Sequence, residues 1–198
     1  MIRAGKTNEI STESGEWLIL DIGFANKTKS CCLLINERDP EELQFSEAVR
    51  CIRKHIDDAN KPVNLIVEAP LSVAFDAKGN PKGRSVEKQG SKTRYWYVGP
   101  GCTVMVATIY LVKALYDSNP SNEVRLFEGF VSFKNTNEKS NHSRDVQLLR
   151  EVIEMPNKFR SSIIDPDALK TSDSDVLQSA FWVAGIDTGI PPLIQRNG

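Results

Sequence analysis

Four carboxylates stand out by where they fall in the chain. Asp21 interrupts the apolar run Trp17-Leu18-Ile19-Leu20-Asp21-Ile22, with Gly23 directly after it. Glu68 closes Val63-Asn64-Leu65-Ile66-Val67 just before Ala69-Pro70, and Glu128 closes Val124-Arg125-Leu126-Phe127. Asp175, with Asp173 two residues ahead of it, opens the last apolar-rich stretch. A charge in a core is costly unless it is paired, hydrogen-bonded or metal-bound. Several carboxylates converging on one point repel one another unless a cation neutralises them, and an oxygen-rich site suits Mg²⁺ or Mn²⁺. Two such ions about 3.5–4 Å apart can activate a water and stabilise the leaving oxygen of a phosphodiester. On this reading Asp21 anchors the metal, Glu68 and Asp175 complete its shell, and Glu128 is peripheral. Asp173 is a substitute for Asp175 or a helix cap. Each acid also has a plain structural role open to it: a strand-end turn for Asp21, a lysine partner for Glu68, a helix dipole for Asp175. Their order along the chain favours a shared site.

A second chemistry-bearing stretch starts at the same place. Residues 72–97 hold Lys78, Lys82, Arg84, Lys88, Lys92 and Arg94 against only Asp76 and Glu87, and end in Tyr95-Trp96-Tyr97. Gly79, Pro81, Gly83 and Gly90 argue for a loop, here a basic insertion over about 72–101. Lys82, Arg84, Lys92 and Arg94 are candidates to hold phosphates, and Trp96 to stack on a base. The plain alternative is a charged, solvated insertion whose aromatics anchor it to the core.

Strands and helices must position these groups. Trp17–Ile22 and Ser30–Ile35 read as strands joined by the turn residues Asn26-Lys27-Thr28, hence an antiparallel hairpin. Leu43-Gln44-Phe45 is a short strand or the lead-in to a helix. Ala48, Val49, Ile52 and Ile56 have helical spacing, with Ser46 as N-cap and Pro62 beyond the end. A strand over 63–68, a buried helix over 102–116, a strand over 124–127 and a helix over 145–154 follow. A final helix is predicted from about Ser174 to Ala184, with Gly185 at its end. Strands alternating with helices after an opening hairpin imply an α/β fold: a mixed five-stranded sheet flanked by helices, as one domain over 1–198. Such sheets place sites at the carboxyl ends of their parallel strands.

Composition sets the outer bounds. In 198 residues, 25 Lys and Arg almost balance 26 Asp and Glu, so no global field selects nucleic acid or membrane, and an anionic partner needs a local patch. Residues 1–14 lack the apolar core of a signal peptide and no run approaches a membrane span, so a cytoplasmic protein without membrane contact is expected. Cys31, Cys32, Cys51 and Cys102 form no Cys-x-x-Cys pair and read as free thiols. With only His55 and His142, a zinc site is disfavoured. His55 reads as a surface residue, and His142 as part of a polar loop near Arg144.

The ordering resembles the ribonuclease H-like superfamily of nucleases, Holliday-junction resolvases and integrases. It resembles most a family of predicted nucleases called domain of unknown function 429. The matching parts are Leu20-Asp21-Ile22-Gly23, Val67-Glu68-Ala69-Pro70-Leu71, Phe127-Glu128-Gly129, Arg144-Asp145-Val146-Gln147-Leu148-Leu149 and Ser174-Asp175-Val176-Leu177-Gln178-Ser179. Ser174 and Gln178 stand where that family's final helix has acids, and Glu128-Gly129 lacks a Pro that often follows. The resemblance implies a metal-dependent nuclease or phosphodiesterase using Mg²⁺ or Mn²⁺ on nucleic acid. It brings with it a homodimer, as in resolvase-like relatives. The Ser174 and Gln178 departures motivate an alternative: a catalytically inactive ribonuclease H-like module that binds nucleic acid or protein. An actin-like kinase, which an Asp-x-Gly strand and hairpin also open, ranks last, because the chain has one lobe's worth of motifs and no phosphate loop.

Overall fold

The computed structural model describes residues 1–23, 28–89, 92–93, 99–132 and 141–197. Thirteen strands occur among them: β1 (Ile2–Ala4), β2 (Glu16–Ile22), β3 (Cys31–Ile35), β4 (Glu41–Leu43), β5 (Val63–Glu68), β6 (Ser72–Phe75), β7 (Pro81–Lys82), β8 (Lys88–Gln89), β9 (Lys92–Thr93), β10 (Val124–Ser132), β11 (Ile163–Ile164), β12 (Val176–Ser179) and β13 (Leu193–Asn197). The helices are α1 (Phe45–Asp58), α2 (Gly99–Asp117) and α3 (His142–Glu154).

The fold is α/β, with a mixed sheet running β11-β13-β10-β5-β2-β3-β4. The pairs β2-β3, β3-β4 and β11-β13 are antiparallel, whereas β2-β5, β5-β10 and β10-β13 are parallel. β1 pairs with the first half of β10 and β13 with the second, so one strand edge serves both. The sheet therefore has eight strands rather than the expected five. The additional ones were not readable, because β1 and β11 span only three and two residues, too short for an alternation pattern, and β13 lies beyond the last predicted helix.

Strand alternation sorts the side chains onto two faces. Leu18, Leu20 and Ile22 of β2 pack with Ala48, Ile52 and Ile56 of α1 and Leu111, Val112 and Leu115 of α2. Trp17 and Ile19 pack on the other face with Ile66, Phe127 and the Val146, Leu149 and Ile153 stripe of α3. Helix α3 approaches closely at Gly129, where a Cβ would lie 2.8 Å from Leu149 and 2.9 Å from Ile66. Helix α1 starts one residue before Ser46. Its first turn is closed by Glu47, whose carboxylate accepts the Gln44 N–H at 3.0 Å, so Ser46 is not the N-cap.

The largest departure is at the carboxyl end. Residues 174–184 do not form a helix. A turn leads into β12, which pairs antiparallel with β6, and Ala180–Ala184 is a single 3₁₀ segment. The apolar run Ala180-Phe181-Trp182-Val183-Ala184 imitates helical periodicity, but only Ala180 and Phe181 are buried and Val183 is 81% exposed. The predicted insertion is also partly ordered into strands, since β6, β7 and β12 form a three-stranded sheet of their own. Among the described residues, no helix is long and apolar enough to cross a membrane.

Candidate metal centre

Asp21 is the penultimate residue of β2 and is 4% exposed. Alternation places it on the face of Trp17 and Ile19, which α3 covers. Its register partner in the parallel neighbour β5 is Glu68, and in β3 it is Cys32. Adjacent strands lie roughly 4.8 Å apart, so Asp21 and Glu68 stand side by side at the carboxyl edge of the sheet. Glu68 is half-buried, and one of its oxygens accepts the Val131 N–H at 3.1 Å.

The residues that join Asp21 come from α3. That helix begins at His142, three residues earlier than its apolar pattern suggests, with Asn141 as N-cap accepting the Arg144 N–H at 3.2 Å. His142 Nδ1 lies 2.6 Å from Asp21 Oδ2 and donates to it. This bond puts the lone pair of a neutral ring on Nε2. Asp145 sits one helical turn further on and is 2% exposed. One ligand atom each from Asp21, His142 and Asp145 lie within 4.8 Å of one another. The positive end of α3 favours Asp145 as a carboxylate.

The local sequence explains how the imidazole fits. A Cβ on Gly23 would lie 2.4 Å from His142 Nε2 and 2.4 Å from the Ser30 carbonyl oxygen, so only glycine lets the ring lie against the end of β2. Ser143 approaches the same floor, its Oγ 3.7 Å from Cys32 Sγ. Cys31 faces the opposite side of β3, where burial pushes its thiol up to about 11, so it is a packing residue rather than a nucleophile.

The other acids singled out by sequence go elsewhere. Glu128 points to the α1 and α2 face, as its parity with Leu126 requires, and is fully buried. It accepts both terminal nitrogens of Arg84, at 2.7 and 2.8 Å, and the Leu71 N–H at 2.9 Å. Asp175 lies in the turn before β12, where it accepts from Lys82 Nζ at 2.8 Å, from Thr171 N and Oγ1 at 2.9 Å and from Ser172 N at 3.0 Å. Lys82 above all, with those donors, holds its carboxyl down at about 2. Because β12 runs antiparallel to β6, Asp175 lies beyond the Phe75 end of that pair, about 10 Å of strand rise from Ser72. Asp173 is exposed. Asp21, Glu68 and Asp175 are thus not one cluster: the first two are neighbours, and His142 and Asp145 stand where Asp175 was expected.

The basic stretch divides in the same way. Arg84 is the bulkiest fully buried side chain among the described residues and does not face a substrate. Lys82 is engaged by Asp175. Lys92 falls in β9, and Arg94 and Trp96 lie outside the described residues. What reading the chain missed was the pair His142 and Asp145. The i, i+3 spacing at a helix start was visible, but the polar text before Asp145 read as loop.

Two carboxylates and an imidazole, with Glu68 alongside, are a mixed oxygen and nitrogen donor set. Imidazole shifts such a site from Mg²⁺ toward Mn²⁺ and later transition metals. No family model matches the chain, and neither a curated protein nor a solved structure matches it.

Proposed function

We propose that the chain is a divalent-metal-dependent nuclease or phosphodiesterase whose centre is Asp21, Glu68, His142 and Asp145. The observation that carries the reading is the meeting of Asp21, His142 and Asp145 ligand atoms within 4.8 Å at the carboxyl edge of parallel strands. An antiparallel hairpin followed by parallel strands is also the layout that the ribonuclease H-like resemblance implies. Asp21 and Asp145 would hold the cation, and His142 would join them through Nδ1, the ring atom 2.6 Å from Asp21, on loss of the proton it shares with that carboxylate. Glu68, the register partner of Asp21 on the same face, would complete the shell of the ion and orient its water. When bound, the ion polarises a phosphodiester oxygen and lowers the pKa of its water. Nucleic acid is the proposed partner, with Mn²⁺ the cation that best suits the donor set.

The test is calorimetric titration with Mn²⁺ together with cleavage of single-stranded, duplex and branched DNA and RNA. Asp21→Asn is expected to abolish both binding and cleavage. A wild-type chain that binds no Mn²⁺ and leaves every substrate intact refutes the proposal. A second reading, a non-catalytic nucleic-acid-binding module, is favoured by the 2.6 Å bond that gives Asp21 a partner without a cation. It predicts nucleic-acid binding unchanged by EDTA and by Asp21→Asn.

A further inference from the structure

The metal reading uses one face of the sheet, yet the most heavily bonded charges lie directly behind it. Arg84 and Glu128 are fully buried, and Arg84 also donates from Nε to Glu87 at 3.0 Å and from Nη1 to Ser72 Oγ at 2.8 Å. An isolated ion pair in a core is weak evidence of stabilisation, because desolvation consumes much of the attraction. What this network grips is more informative than its energy.

Glu68 lies at the middle of a three-residue turn, in which the Ala69 N–H donates to the Val67 carbonyl at 2.9 Å. The backbone at Glu68 therefore depends on the path of the residues that follow, while the Val131 N–H holds one oxygen of its carboxylate. That path is held at two successive positions. Glu128 accepts the Leu71 N–H, and Arg84 donates to the Ser72 hydroxyl. Glu128 belongs to β10 and is the register partner of Val67, the residue before Glu68. The bidentate fork of Arg84 fixes both oxygens of Glu128, so one oxygen is held in place for Leu71.

We propose that Arg84 and Glu128 are positioning residues of the metal centre: by clamping Leu71 and Ser72 they set the turn that places Glu68 beside Asp21, its register partner. This rests on the reading of Asp21, Glu68, His142 and Asp145 as a metal site. It assigns the burial of a cation from the basic stretch to a role in the site rather than to substrate contact. It equally assigns Glu128 to the centre without making it a ligand.

The test uses the full chain and removes the clamping pair together, as Arg84→Met with Glu128→Gln, so that neither of the two is left charged without the other. Glu87, which also pairs with Arg84, takes up a proton readily because burial raises it to about 7. Expected is a Mn²⁺ affinity about 10–100-fold weaker, the usual cost of losing a partner that orients a metal ligand. A fall in kcat with KM unchanged is expected alongside it. Arg3→Met, which removes the ion pairs of Arg3 with Glu9 and Glu123 away from the centre, controls for lost stability. It is expected to lower Tm while leaving Mn²⁺ affinity unchanged. If the double variant does not fold, Arg84→Lys keeps the charge, loses the fork and carries the same direction of effect. A folded variant that binds Mn²⁺ like wild type overturns the clamp and leaves the metal reading intact. Equal weakening in Arg3→Met also overturns the clamp, because stability alone then accounts for the effect. Absence of Mn²⁺ binding by the wild-type chain overturns the metal reading itself.

Discussion

Gly23→Ala separates the geometry of the centre from its charge. The added methyl would lie 2.4 Å from two neighbours, His142 Nε2 and the Ser30 carbonyl oxygen. The imidazole is the end of a side chain and can swing away, but only by giving up its bond to Asp21. A hydrogen bond to a charged group is worth about 1.5–3 kcal/mol. The Ser30 oxygen is backbone and accepts the Gly23 N–H at 2.7 Å, so relief on that side opens the end of the β2–β3 pair. With roughly 2 kcal/mol lost, a chain of this size should melt about 4–8 °C lower. Mn²⁺ affinity should fall with it, since the displaced ring no longer faces Asp21. Repeating the substitution in a His142→Ala background isolates the ring's share. There the cost should shrink by about 1–2 kcal/mol, a coupling of the size expected for groups in contact, while the Ser30 share remains. Urea unfolding of the four proteins supplies the cycle. Gly23→Ala within 0.5 kcal/mol of wild type, or an equal cost in both backgrounds, refutes the reasoning.

Two pH dependences follow from carboxylates outside the centre. Lys82 and neighbouring donors depress Asp175 from 3.8 to about 2, so its stabilising contribution is present above pH 4 and fades as pH falls toward 2. The stability gap between wild type and Asp175→Asn, measured by urea unfolding, should therefore close over that window, and a gap constant down to pH 2 contradicts the assignment. Glu87 is shifted the other way, raised by burial from 4.5 to about 7 despite the Arg84 guanidinium. Its contribution is full below pH 4.5 and is lost as pH rises to about 7. The decline in wild-type stability across that range should flatten in Glu87→Gln, and an identical slope in the variant argues against a neutral buried Glu87.

The alternating and helical patterns of the chain determined the parts whose rules are local. The run around Asp21, the strand ending at Glu68 and the stripe Val146, Leu149, Ile153 identified two central strands and the helix that covers them, because burial of one face leaves its period in the residues. Asp21 itself was legible, since a carboxylate in an apolar strand is conspicuous. What joins it was not. His142 and Asp145 are separated from Asp21 by more than a hundred residues, and only the docking of α3 on the sheet brings His142 within hydrogen-bond reach and Asp145 within 4.8 Å. Parity also decided against Glu128: a strand-end acid looks the same on either face, and its side is fixed only by which neighbours its strand packs against. Asp175 failed for a related reason. An apolar stretch after an acid reads as a capped helix, yet pairing of β12 with β6 claimed the residues for a strand and turned the acid toward Lys82. Local pattern specifies elements and their buried sides, whereas a metal centre depends on register and docking, which exist only once the chain has folded.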